Sequence, residues 1–428
     1  MRREGVVLTL AVGTLVVGGW LSSGGGPALA SEAALAAGAA PTRQEVFGER
    51  VADLRNTDPQ VRLAAVRALG ASGTPQAIVP LSGLLTDPVD EIQFEVIQQL
   101  LGFYLVEPPR ASRRVALVVE VRKDVDAAAA FEEGPFIVLP RPSPPELVAG
   151  LAGAMRDQNP SVRLQATYAL GVMARPPLEP VGAEVLTAAL RDSSADMRVA
   201  AARVLGALRV ATAGEALVSA VNDEEKAVRI AAMRALGDIR EVRAVKALQE
   251  QLDFYKRGEL AAAAYDGLAR VAHASSIPLF QSWLPSRDPL GRRYAAEGLA
   301  RTGDLQAAAS VEPFFDKEKD RQVRAAMAFA LVVAGRPATS VLVEALADED
   351  LAPQVMAYLV ELGQPVVPQI TGSLRAEHPK VRERTAMVLG LVGGADALAA
   401  LEQLPPDDNL DVARAVERGI ARLRLPAP

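Results

Sequence analysis

Val61-Arg62-Leu63-Ala64-Ala65-Val66-Arg67-Ala68-Leu69-Gly70 is the stretch on which the fold turns. Its small and apolar residues at positions 1, 4 or 5, 8 and 9 fall on one face of a 3.6-residue helix. The same decade returns at Val162 to Gly171, Met197 to Gly206, Val228 to Gly237 and Val381 to Gly390. Weaker copies start at Ile92, Leu260, Gly291, Val323, Leu351 and Val412. An apolar residue stands eight positions after every start: Leu69, Leu100, Leu170, Leu205, Leu236, Leu268, Leu299, Leu331, Leu359, Leu389 and Ile420. Only Gly291 fails as the apolar opener. Self-similarity of this kind, at a period of roughly thirty-one residues, marks a repeat array.

Each unit has readable mechanics. Alanine at the fifth position (Ala65, Ala166, Ala201, Ala232, Ala264, Ala295) lets neighbouring helices approach closely. Asp58-Pro59, Asp87-Pro88, Asn159-Pro160 and Asp288-Pro289 read as a helix N-cap followed by proline at the first helical position. Gly70, Gly171, Gly206, Gly237 and Gly390 are expected to end their helices. A second apolar helix is expected before the next copy, at 77–85, 184–190, 215–221 and 245–252. One repeat is therefore a helical hairpin that must stack on its neighbours to bury its core. The expected fold is all-α, a right-handed solenoid of about eleven such hairpins.

The Val-Arg-x-x-Ala-x-x-Ala-Leu-Gly core resembles the short HEAT-like repeats first associated with phycobiliprotein lyases, over about residues 45–423. The tetratricopeptide alternative lacks its Trp, Tyr and Pro signposts, and the ankyrin alternative its Thr-Pro-Leu-His turn. The resemblance implies an architecture and little about activity. Bilin-lyase chemistry and nucleic-acid binding are the family's other uses, and both remain as alternatives.

One interruption breaks the spacing. Leu100 and Leu170 are seventy residues apart, so 105–144 is an insertion, bounded by Pro108-Pro109 and by Pro140, Pro142, Pro144 and Pro145. Arg114 to Arg122 is valine-rich and Pro135 to Leu139 short and apolar, which suggests a β-hairpin. Val115, Val118, Val119 and Val125 also fit one helix face. Such an insertion serves as a partner clasp or a plug over the groove, or else is a decorative loop.

Charge and composition narrow the function. The chain has 428 residues, 46 basic and 52 acidic, a net charge of −6, and no cysteine. Absent cysteine removes disulfides, thiol nucleophiles, zinc ribbons and iron–sulfur sites. An acidic balance argues against nucleic acid. Arg2-Arg3, the apolar run Gly5 to Leu21 and Ala28-Leu29-Ala30 have the three parts of a secretory signal over 1–30. Cleavage before Ser31 would leave 31–428 as a periplasmic or secreted protein without stable membrane insertion; the alternative is an uncleaved anchor.

No catalytic, cofactor or metal residues are assigned. His273 and His378 lie far apart without ligand-spaced partners, and no His-Glu dipeptide of the iron-binding deoxyhypusine hydroxylases exists. Asp157, Asp192 and Asp223 each precede Arg163, Arg198 and Arg229 by six residues, a pattern expected to tie neighbouring hairpins into a ladder. Beyond Trp20, nine of the 17 remaining aromatic residues lie between Phe254 and Phe329. The repeat is least regular there, with Leu260 to Leu268 lacking arginine and Gly291 replacing valine. Phe254, Tyr255, Phe280, Trp283, Phe314 and Phe315 are therefore the candidate protein-binding residues, against a reading in which they fill gaps between alanines. The expected function is a non-enzymatic scaffold presenting a curved face to a protein partner.

Overall fold

The computed structural model describes residues 43–106 and 126–425. From Phe47 onward the chain forms one unit, which holds all eleven copies. Every copy lies on a helix, the first on Pro59–Ala71 and the last on Leu410–Leu423, except that Leu351 caps Ala352–Leu362. These consensus helices stack directly on one another, while second helices such as Pro180–Ala189 and Val245–Tyr255 form a second row that is more loosely packed along its length. The reason lies in the side chains. The fifth-position alanines are wholly buried, as are nearly all the leucines at position nine; only Ile420, in the last helix, stays partly exposed. The array is an all-α solenoid.

Two local expectations need correction. The decade-ending glycines do not end helices: Gly70, Gly206 and Gly237 lie inside Pro59–Ala71, Ala195–Ala207 and Lys226–Asp238. They serve close approach instead. A Cβ on Gly206 would come within 2.9 Å of the Ala235 Cα, and one on Gly390 within 2.8 Å of the Gly419 Cα. The reversal falls a few residues later, at left-handed positions such as Gly73 and Gly393 and, unusually, Arg209 and Arg240. Asp58, Asn159 and Asp288 cap as expected, but Asp87 does not: Val89 is the N-cap of Asp90–Tyr104. Asp87 is drawn off to Arg62.

The β-hairpin expected in the insertion is not supported. Arg114 to Arg122 lies outside the described residues, as does the export signal. Pro135 to Leu139 is no strand; it carries the 3₁₀ turn Gly134–Ile137 and a single antiparallel bridge between Leu105 and Val138. Before it stands a helix, Ala127–Glu133, started by Asp126 capping Ala128. Phe131 lies where a Cβ on Gly171 would be, 2.7 Å away, so the absent side chain makes room for the ring. The turn in its place also reaches the far end of the array. Arg422 donates to the backbone oxygens of Pro135 (3.1 Å) and Val138.

Candidate functional site

The arginine at position two of the repeat builds a ladder. Arg62 grips Asp87 through Nε (2.8 Å) and Nη2 (2.9 Å), 25 residues on. Arg198 holds Asp223, Arg292 holds Glu318 and Arg382 holds Asp407 in the same two-pronged way. Arg163 makes a looser rung, 3.5 Å from Asp192. Nη1 meanwhile donates backwards to the loop before its own helix, from Arg198 to the Asp192 oxygen and from Arg382 to the Ala376 oxygen. The six-residue Asp–Arg spacing thus reports two bonds: one to the carbonyl of its own loop, and one from the previous arginine to that loop's carboxylate. Paired geometry of this kind is the strong form of the ion pair. The Arg382 hydrogen bond holds the Asp407 carboxyl below its ordinary value. For Asp223, burial pushes upward, but the Arg198 bond and the Glu225 amide outweigh it.

The ladder is interrupted at Arg229. Its Nη1 still reaches the oxygens of Asp223 (2.6 Å) and Glu224 (2.9 Å). Yet 25 residues on stands Phe254 where other repeats place an acid. Arg229 Nε is out of solvent contact and has no partner. The next copy has Ala261 in place of arginine, so a second rung is missing too. Phe254 is 78% exposed, the most exposed large apolar side chain among the described residues. Tyr255 meets it edge-on at 4.8 Å.

The other candidates separate into distinct roles. Phe280 is wholly buried, lying where a Cβ on Gly298 would come within 2.6 Å of its ring, so it fills the array's interior and shows no face to solvent. Trp283 is half-buried against Phe280 and, edge-on at 4.8 Å, against Tyr265. The Tyr265 hydroxyl lies 3.5 Å from where a Cβ on Gly291 would be, an ordinary contact, so the glycine is not needed to admit it. Phe314 and Phe315 are half-buried, and Arg324 lies 4.3 Å over the Phe315 ring. The structure therefore joins Phe254 to Tyr255 and Phe280 to Trp283, and sets Phe314 and Phe315 apart.

Sequence reading missed a buried charge network. Glu297, 2% exposed, accepts from Arg293 (2.8 Å), Arg301 (3.0 Å) and the Tyr358 hydroxyl (2.5 Å). Burial pushes its carboxyl up, and Arg301 with Arg293 more than reverses that, leaving it below its ordinary value. Tyr358 and Glu361 belong to a repeat two further on, and Glu361 closes on Arg301 at 2.9 Å. The signal was present as charge pairs four apart that invert along the array: Arg234 and Asp238, Asp266 and Arg270, Glu297 and Arg301. With its acceptors satisfied and no opening to solvent, Glu297 is a tie between repeats.

The histidines are loop caps: His273 accepts from the Ser275 amide, and His378 precedes Pro379–Val392. Among the described residues, no group of three His, Asp or Glu side chains is placed to hold a metal ion, and no helix is long and apolar enough to cross a membrane. A cavity of about 320 Å³ lies between the insertion turn and the last two repeats, lined by Phe136, Ile137, Met387, Arg414 and Arg422 among others.

A profile of HEAT repeats matches residues 21–101, 183–254 and 256–332, together just over half of the chain. The chain belongs to the HEAT-repeat family. The boundary between the last two matched segments falls at Tyr255, where this HEAT array lacks two successive rungs. Among solved structures it is similar to an engineered protein at 18% identity, covering 89% of this chain and 99% of that one, with a TM-score of 0.40. It is also similar to the complex of CpcE and CpcF of phycocyanin lyase from Nostoc sp., at 22% identity over 56% of this chain and 94% of that one, TM-score 0.40. Importin beta gives 14% identity over 89% and 57%, TM-score 0.39. A search of curated proteins finds no match.

Proposed function

We propose that this HEAT array is an exported, non-enzymatic scaffold that binds a protein partner at the irregular repeats around Phe254. The observation that carries the reading is the coincidence of an exposed phenyl ring with the break in the ladder. In four other repeats that position holds an acid that ties neighbours together; here the array gives up the tie and shows an aromatic side chain to solvent. Aromatic side chains are the preferred anchors of binding hot spots. A solenoid supplies extended surface for such anchors without any catalytic apparatus. The export half of the reading is supported by Arg2-Arg3, the apolar run after them and Ala28-Leu29-Ala30.

The test compares Phe254→Ala and Trp283→Ala with Phe94→Ala, a half-buried aromatic in an ordinary repeat, in pull-downs from an envelope fraction. Phe254→Ala should melt like the parent and lose its partners. Trp283→Ala should lose both stability and partners, because its ring packs on Phe280 and Tyr265. Full partner recovery with Phe254→Ala would end the binding reading, and Met1 retained on a cytosolic species would end the export reading.

A further inference from the structure

We propose that Arg229 and Phe254 form a docking point for a partner chain that presents a carboxylate beside an apolar side chain, the carboxylate supplying the rung the array omits. The inference rests on the protein-binding reading above and gives the partner its chemistry. Four rungs of the same chain serve as the template. In each, Nη1 is held by the arginine's own loop while Nε and Nη2 present one edge to an acid 25 or 26 residues on. At Arg229 the loop contacts survive, so the guanidinium is held as in the other rungs, but that edge meets no acid. Asp253, one residue before Phe254, is exposed and forms no hydrogen bond or ion pair with Arg229 among the described residues.

Two further observations point the same way. Arg163, 3.5 Å from Asp192, and Arg324 also lack a two-pronged rung; Arg163 still faces its acid, and at Arg324 the array supplies a substitute, the Phe315 ring at 4.3 Å. No ring covers Arg229 in that manner among the described residues; Phe254 points into solvent instead. An unmatched acceptor holds the same loop: Gln251 gives its amide nitrogen to Asn222 at 3.1 Å, next to the Asp223 oxygen that Arg229 holds, and its Oε1 is buried without a partner. A buried donor and a buried acceptor left unpaired each carry a desolvation penalty that a bound chain relieves. A free anion would satisfy the donor alone and leave the phenyl ring exposed. A peptide segment with an acid next to an apolar residue answers the ring, the donor and, through a backbone N–H, the acceptor.

The test follows the Arg229 Nε–Hε resonance of the full chain by NMR while two capped peptides are added, one with aspartate beside leucine and one with asparagine in its place. The resonance should shift with the aspartate peptide, and the asparagine peptide should need at least about ten times the concentration for the same shift. Arg229→Gln should abolish the preference. Phe254→Asp, which places an acid at the position it holds in the other repeats, should raise the melting temperature and remove the response to both peptides. Equal responses to the two peptides, no response, or a Phe254→Asp chain that binds like the parent would overturn the proposal. Envelope partners lost in Phe254→Ala without any aspartate preference would overturn this inference and leave the protein-binding reading standing.

Discussion

Gly390 shows how much one residue decides. It sits on the small-residue face of Pro379–Val392, where that helix crosses Leu410–Leu423 at Gly419, so the obstacle to any side chain is backbone. Backbone cannot swing aside as a flexible side chain can. Gly390→Ala should therefore cost about 1–3 kcal/mol by overpacking. Gly102, also helical, has open space around its Cβ position, and Gly102→Ala should stabilise by up to about 1 kcal/mol through helix propensity. Urea denaturation of the two variants checks both signs. The motif reveals that glycine recurs at position ten, but turn and close approach use the same residue. Only the neighbouring helix tells which applies.

At the scale of elements, the rungs make the array sensitive to acid. Asp407 is lowered from 3.8 mainly by its hydrogen bond with Arg382, and Asp157 mainly by the Gln93 amide. A depressed folded pKa means stability that is fully present above the ordinary carboxylate value and lost as pH falls through the depressed one. Melting temperature should accordingly drop below about pH 4. Arg382→Gln should lower stability near neutrality and make the acid drop shallower, as thermal melts across pH would show. Asp238 works with the opposite sign: burial raises its carboxyl, the nearby Arg270 notwithstanding, so its share is present below 3.8 and fades above it. Ladder and hairpins were legible because each recurs with the repeat. The helix Ala127–Glu133 was not, because it occurs once and is short, leaving no period to compare.

For the molecule as a whole, the decisive contact is between the insertion turn and the last helix. Arg422 reaches the Pro135 and Val138 oxygens across a separation of more than 280 residues. Burial, with Arg175 nearby, lowers its basicity, so the guanidinium gives up hydration in order to cap those carbonyls. Arg422→Ala should release the turn while leaving the repeats folded. Hydrogen exchange at Val106 and Leu139, whose amides bond to Ile137 and Tyr104, should quicken by about tenfold or more. Amides of Ala195–Ala207 should keep their protection. Unchanged exchange at Val106 would show the contact to be without consequence for the turn.

Periodicity by itself determined the fold class, the number of repeats, the buried alanine and leucine positions and the existence of a ladder, because each is a local pattern multiplied by stacking. Composition picked out the aromatic stretch from Phe254 to Phe329 for the same reason: an excess can be counted. Which of those rings faces solvent was decided by tertiary structure alone. Phe280 and Phe254 are the same residue type in the second helices of successive repeats, yet Gly298 opens a slot for one and the other is left 78% exposed. The Glu297 network and the Arg422 contact likewise depend on how far each repeat turns relative to the last. That angle is set by side-chain volumes summed over neighbouring helices, and no single repeat carries it.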